Sequence, residues 1–310
     1  MGTCVVRLPI IFNSTTDLLG QGNAGQVFRV RLPGNRIFAL KRFLPSLDRT
    51  DFDNEARVLE ELEDNPHPCI SLPIQSWLEV DSAYIRFPLA ETDLFKLIRT
   101  TAPPANILTT DENADRFFGR HLAGLCEALR YVHEARIGRQ QRRRIGFHHD
   151  IKPANISIFP GGVWKLSDFV SGDIRFVGAN EEIYNRRPST WDRLYSAPEF
   201  VIEGRVSCPT DIWSLGAVFL EVLVWATLGG DAVQQFHDKR REYGGGRATF
   251  WSQDEAVPCL NPTVLKAMEN LEARCVGLRP LTVLAEIIRK VLVVDVKDRW
   301  TAVKICDYRS

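Results

Sequence analysis

The hydrophobic and polar positions of the first ninety residues read mostly as strands. Leu18 to Gln21 and Gln26 to Arg31 flank a glycine-rich turn, and Pro33-Gly34-Asn35 turns the chain into a third strand, Arg36 to Phe43. Two further strands fit Ile74 to Val80 and Ala83 to Pro88, joined at Asp81-Ser82. Between them the period changes. Phe52 to Leu62 places Ala56, Leu59 and Leu62 at helical spacing with acids in between, which predicts a helix.

After Ala90 the pattern becomes helical. Ala114 to Ala135 reads as one long amphipathic helix, and Leu281 to Val294 as another. Asp211 to Thr227 is almost wholly apolar and predicts a buried helix. Ile156 to Phe159 and Val163 to Leu166 predict a short hairpin around Pro160-Gly161-Gly162. No internal repeat is present. Strands first and helices afterwards predict an α+β fold in two lobes: a small β-rich lobe over residues 1–90 and a larger helical lobe over 91–310. A cleft between two such lobes is a favoured ligand site. Arg136 to Arg144 is dense in arginine and reads as a solvated loop insertion ahead of a nuclear signal or a site for an acidic partner.

Composition narrows the function classes. The 310 residues carry 39 basic and 39 acidic side chains, so bulk charge offers no attraction to nucleic acid or to a membrane surface. No stretch approaches the roughly 18 consecutive apolar residues of a membrane span, and the N-terminus lacks a signal-peptide pattern. Gly2 is a poor myristoylation site because Val6 stands where serine or threonine is wanted. Seven scattered cysteines without a CxxC pair predict free thiols in a reducing compartment, hence an intracellular, cytoplasmic or nuclear protein.

Function must then come from local sites. Gly20-Gln21-Gly22-Asn23-Ala24-Gly25-Gln26-Val27 is a glycine-rich loop in which backbone N–H groups can approach phosphates. Alone the pattern is weak, but its strand–turn–strand setting argues against a dinucleotide fold, where a helix follows the loop. Lys41, flanked by apolar residues on the third strand, can neutralise phosphate charge if a carboxylate holds it, and Glu55 on the following helix is the candidate ahead of Glu60 and Glu61. His148-His149-Asp150-Ile151-Lys152-Pro153-Ala154-Asn155 is more specific. Asp150 can orient an attacking hydroxyl and accept its proton, Lys152 can stabilise charge on a transferring phosphoryl group, and Asn155 can hold a magnesium ion. Asp168, in Ser167-Asp168-Phe169-Val170, is a second magnesium ligand. Phosphoryl transfer needs positioning and charge neutralisation, and this set supplies both.

In this order the residues resemble the eukaryotic protein kinase superfamily, from about Leu18 to Ile305. Ser196-Ala197-Pro198-Glu199 is similar to the end of an activation segment, Asp211 to Gly216 to the start of the central buried helix, and Arg299 to the arginine that pairs with the Ala-Pro-Glu glutamate. The resemblance implies a bilobal fold and a serine/threonine kinase, since Lys152 stands two residues after Asp150, with a serine or threonine hydroxyl of a protein as substrate. It implies ATP and Mg2+ as cofactors, with the nucleotide held by Gly20, Gln21, Gly22, Asn23, Ala24, Gly25, Val27, Ala39 and Lys41. The adenine hinge falls at Pro88, Leu89 and Ala90, with Phe87 as gatekeeper. The run Phe219 to Trp225 with Gly229-Gly230 is similar to kinases of filamentous fungi.

Several positions depart from the family pattern. His149 stands where many kinases have arginine, Val170 replaces a glycine, Ser157 replaces an apolar floor under adenine, and Asp192 replaces a threonine. A neutral histidine offers no bidentate fork to a phosphate, so activation is expected not to depend on the usual phosphate-to-arginine switch, with Ser189 and Thr190 as remaining phosphosites and Arg186, Arg187 and Arg193 near them. None of the departures removes a charge-bearing catalytic group. The competing readings are a pseudokinase, supported by Val170 and Ser157, and a small-molecule phosphotransferase. Ala197-Pro198-Glu199 and Asp211 to Gly216 argue against the latter, because they look like parts that dock protein substrates.

Overall fold

The computed structural model describes residues 17–22, 24–43, 50–134, 136–137, 142–176, 193–204, 207–254, 257–275 and 277–309. Cys4, Asn23, Arg186, Arg187, Ser189, Thr190 and Asp192 lie outside the described residues.

The chain opens with β1 (Leu18–Gln21), β2 (Gly25–Leu32) and β3 (Arg36–Phe43), then α1 (Thr50–Glu63), β4 (Gln75–Leu78) and β5 (Ala83–Pro88). The strands form one antiparallel sheet in the order β1-β2-β3-β5-β4. Lys41 sits opposite Val27 and Ile85, and Ala39 opposite Arg29 and Phe87. Because strand side chains alternate, Ala39 and Lys41 share one face. Phe28 and Leu40 share the other, where they bury with Val30 in a small separate cluster. Helix α1 presents Phe52, Glu55, Val58, Leu59 and Leu62 inward, one stripe at 3.6-residue spacing with a single carboxylate in it.

A second block is mainly helical. It comprises β6 (Thr92–Asp93), α2 (Leu94–Thr100), α3 (Asp111–Ala114), a π-helical turn (Asp115–Gly119) and α4 (Arg120–Glu134). Then come β7 (Arg136–Ile137), β8 (Arg142–Phe147), β9 (Ile156–Phe159), β10 (Val163–Leu166) and β11 (Asp173–Phe176). The remainder is α5 (Pro198–Glu203), α6 (Cys208–Leu228), α7 (Gly230–Tyr243), the hairpin β12 (Trp251–Asp254) and β13 (Val257–Leu260), α8 (Pro262–Cys275), α9 (Arg279–Val291) and α10 (Ala302–Arg309).

Helix α6 is the axis of this block. Ser207 caps it in a capping box with Thr210, and Gly229 ends it at φ 85°. Every residue from Thr210 to Ala226 is buried. Gly216 lets α9 come close, since a Cβ there would lie 2.4 Å from Val291. Among the described residues this is the single helix long and apolar enough to cross a membrane, and 89% of its apolar window is buried inside the fold.

Three expectations need correction. The helix read as Ala114 to Ala135 begins as α3, widens into the π-helical turn and continues as α4, with Ala135 outside the described residues. The helix read as Leu281 to Val294 runs from Arg279 to Val291. The basic run at Arg136 to Arg144 is a β-hairpin where it is described, with Arg136 opposite Arg143. Arg144 is not solvated there. It is fully buried, donates to the Glu61 carbonyl at 2.6 Å and lies over the Tyr131 ring. Charge density along the sequence suggested solvent, but one guanidinium that meets a helix C-terminal carbonyl and an aromatic face can be buried.

Candidate active site

The inward face of the sheet, α1 and the loops on either side of the β9–β10 hairpin enclose a cleft of about 650 Å³. Its wall includes Gly20, Gln21, Gly22, Val27, Ala39, Lys41, Glu55, Pro88, Leu89, Ala90, Asp150, Lys152, Asn155 and Asp168. Residues separated by more than a hundred positions thus converge. Two expected residues are not part of this wall. Gly25 is pressed against β3, where a Cβ would meet the Arg42 carbonyl oxygen at 2.2 Å, and Ala24 is buried. Asn23 lies outside the described residues.

Lys41 is the hinge of the charges. Its Nζ lies 2.8 Å from Glu55 Oε2 and 2.6 Å from Asp168 Oδ1. Burial alone would drive Lys41 toward the neutral amine, but Asp168 and Glu55 together raise its pKa and keep it protonated. Glu55 is buried and has the Asp168 charge nearby, so its pKa rises to about 7 despite Lys41. Asp168 keeps a low pKa because Lys41, then His148 and Lys152, outweigh its desolvation. Its side chain remains 40% exposed and opens to the cleft.

Asp150 Oδ2 accepts from Lys152 Nζ at 2.8 Å and from Asn155 Nδ2 at 2.9 Å. The same Asn155 amide donates to the Asp150 carbonyl, which directs its Oδ1 to other use. The loop owes its shape to Asp211 at the start of α6. One carboxylate oxygen accepts the His148 N–H at 2.9 Å, and the other the His149 N–H at 2.8 Å. His133 on α4 lies 3.1 Å from the same carboxylate. Burial pushes the Asp211 pKa up, but the His133 hydrogen bond and the charges of His133, His149 and His148 bring it to about 2, while the two main-chain bonds brace the loop. They also hold His149 at φ 66°, and Asp168 adopts φ 65°, conformations that side-chain-bearing residues take only under constraint.

The departures from pattern have structural accounts. Val170 is not among the residues with positive φ, so no glycine is required there. Ser157 does not present a bare hydroxyl, since it pairs with Ser167 Oγ at 3.0 Å. His149 stacks on Phe147 and its Nδ1 lies 3.0 Å from the Ser171 carbonyl, which makes Nδ1 the protonated nitrogen. The cleft also takes in Ala154, Phe159, Lys96 and Arg193, which sequence reading does not mark as site residues. Ala154 stands between marked residues, whereas Lys96 and Arg193 arrive by tertiary placement alone.

The residues fit a nucleotide with a divalent cation. A Cβ at Gly20 or Gly22 would meet nothing within 4 Å, so the backbone there is open to close approach. Among the described residues no three His, Cys, Asp or Glu side chains cluster as a metal cage. Asn155 and Asp168 therefore suit a hard cation that takes most of its ligands from phosphate and water, as magnesium does.

Residues 14–309 match the family model described as protein kinase domain. The chain is 27% identical over 276 residues to a G-type lectin S-receptor-like serine/threonine-protein kinase of Arabidopsis thaliana, covering 87% of this chain and 30% of that protein. It is 28% identical over 210 residues to mouse serine/threonine-protein kinase 36, covering 67% of this chain and 14% of that protein. Against mitogen-activated protein kinase 13 of Arabidopsis thaliana it is 30% identical over 206 residues, 65% of this chain and 48% of that protein. The chain thus spans less than half the length of these relatives.

Proposed function

The chain belongs to the protein kinase domain family, and on that premise we propose that it is an active protein serine/threonine kinase using Mg-ATP. The observation that carries the reading is the joint presence of Lys41, Glu55, Asp150, Lys152, Asn155 and Asp168 around one cleft, the charged ones in ion pairs and Asn155 hydrogen-bonded to Asp150. Bound ATP and magnesium would supply the phosphoryl group and its charge neutralisation. Lys41, held by Glu55, would bind phosphate oxygens, and Asn155 and Asp168 would hold the cation. Asp150 orients the acceptor hydroxyl and takes its proton, while Lys152 offsets charge beside it. Pro88, Leu89 and Ala90 would serve as the hinge for adenine, and Gly20, Gln21, Gly22, Val27 and Ala39 would hold the rest of the nucleotide.

Residues 1–90 and 91–310 form the two lobes in this reading, supported by a sheet made wholly of strands before Leu89. An intracellular location belongs to the same proposal, supported by six free cysteines among the described residues. So does kinship with kinases of filamentous fungi, supported by Phe219 to Trp225 with Gly229-Gly230.

The test is incubation of the purified chain with labelled ATP, magnesium and a degenerate peptide array. Transfer to serine or threonine, lost in Asp150→Asn, is the expected result. Nucleotide binding without transfer on any peptide would favour the pseudokinase reading.

A further inference from the structure

Beside the cleft lies a second pocket of about 330 Å³ with a different chemistry. Arg193, His237, Arg241 and Arg247 line it, and none of its described lining residues is acidic. Arg193 also lines the cleft that holds Asp150 and Lys152, so the two spaces share a wall. Whatever presents a hydroxyl to Asp150 therefore passes close to these cations.

The cations stand on a rigid support. The helix α7 ends at Gly244, whose N–H donates to Arg240 at 2.9 Å. A Cβ at Gly244 would lie 2.0 Å from the Arg247 carbonyl oxygen, so only glycine lets the chain fold back tightly there. This turn brings Arg247 beside Arg241 on one pocket wall. Directly beneath, Arg240 is fully buried between the Phe236 and Phe250 rings and paired to Glu221 at 2.9 Å. Trp251 donates to the Ser196 carbonyl at 3.1 Å and ties this turn to the segment that follows Arg193. Arg240 thus has its counterion inside the fold. Arg241 and Arg247 are exposed, and neither makes an ion pair among the described residues. The acid next to the pocket, Asp238, is engaged with His237 at 3.2 Å.

We propose that this pocket receives a carboxylate side chain of the peptide segment that carries the acceptor hydroxyl, so that the enzyme selects acidic substrates. The proposal rests on the kinase reading and specifies its substrate class. Guanidinium groups match carboxylates as bidentate partners, and Arg241 and Arg247, exposed and outside any ion pair among the described residues, can turn their donors to a ligand, although Arg241 also acts on Asp238. Attraction at the edge of a cleft acts on substrate binding rather than on the chemical step, and it weakens with salt.

The test uses the full chain with Mg-ATP and matched peptides in which glutamate, glutamine, lysine or phosphoserine is scanned through the positions flanking one serine. At one or more positions the glutamate peptide is expected to show a kcat/KM about tenfold above its glutamine counterpart, expressed in KM. Arg241→Glu and Arg247→Glu should reverse the order of the glutamate and lysine peptides and leave turnover of the glutamine peptide unchanged. Turnover of all peptides without acidic preference, or a preference unchanged by both variants, would overturn the proposal and leave the kinase reading intact. A gain for phosphoserine alone would overturn the carboxylate assignment. Absence of turnover on every peptide would sink both readings.

Discussion

Asn54 on α1 donates its side-chain amide to the main-chain carbonyl of Val170 at 2.8 Å. The same amide reaches the Gly172 carbonyl at 2.7 Å. One turn on, Arg57 donates to the Ile174 carbonyl at 2.9 Å and to Asp173 at 2.8 Å. The helix that carries Glu55 is therefore tied to the segment after Asp168 by the protein's own groups. Phosphatase-treated protein expressed in bacteria is expected to retain most of its activity. Asn54→Ala with Arg57→Ala should lower kcat at least tenfold, since the pair makes four bonds to this segment and each is worth ~1 kcal/mol. A large activity loss on phosphatase treatment, or wild-type kcat in the double variant, would refute this clamp.

The pair Lys41–Glu55 leads to a separate expectation. Lys41→Met removes the cation that lies between two carboxylates and 5.2 Å from the Phe43 ring centroid, while keeping an unbranched side chain of similar length. Phosphotransfer should fall by several orders of magnitude, with circular dichroism unchanged. Near-wild-type turnover would refute the role.

Asp150 and Asp168 differ in surroundings and should differ in phenotype. Asp150 is bound to Lys152 and Asn155, whereas Asp168 faces Lys41 and opens to the cleft. Asp150→Asn is expected to bind Mg-ATP and lose turnover. Asp168→Asn should lose the magnesium dependence of nucleotide binding. Calorimetry with and without magnesium separates the two, and identical defects would contradict the division.

Arg299 and Glu199 form a two-pronged ion pair at 2.6 and 3.1 Å, and Arg299 also donates to the carbonyls of Val293 and Pro209. Both residues are buried. Removing one partner strands the other charge, at a cost of roughly 3–5 kcal/mol. Arg299→Ala should lower the melting temperature by several degrees, and an unshifted melting curve would show that the pair contributes nothing.

His149 sets a pH dependence. Burial, with a smaller push from His148, lowers its pKa from 6.5 to about 4, although Asp211, the Ser171 carbonyl and Asp173 pull upward. The folded state thus favours the neutral ring. Its contribution is present above the unfolded value of about 6.5 and is lost as the pH falls toward 4, amounting to about 3 kcal/mol. His149→Asn tolerates the left-handed backbone and cannot titrate. Melting temperatures from pH 8 to 4 should fall less steeply in the variant than in the wild type. Parallel curves would rule out His149 as the source.

Much of the site is legible in the sequence because its charged residues lie in short local patterns. Lys41 shows as a cation among strand residues, and Glu55 as an acid on the buried stripe of a helix. Asp211 is different. Its contact with two main-chain N–H groups of a loop more than sixty residues away leaves no periodic trace. Arg144 misleads for a related reason, since a basic run does not say which member turns inward. The paired strands β8 and β11 and the helices α7 and α8 also escape, because their pairing is decided by tertiary packing and not by local spacing.

The uniform burial of α6 has a further consequence. A helix apolar on every side has no preferred face, so hydrophobic packing alone would allow it to rotate about its axis. Its orientation is indexed by a few polar teeth. Asp211 accepts from the main chain at His148 and His149, Ser214 reaches the Tyr195 carbonyl at 2.9 Å, Glu221 meets Tyr195 and Arg240, and Trp225 donates to the Thr101 carbonyl. These contacts work like the wards of a key: each is a modest bond, and together they admit a single angular setting. Blunting one of them while leaving the apolar packing intact would produce a protein that is still collapsed and helical but whose Asp150 loop is no longer in register with the cleft.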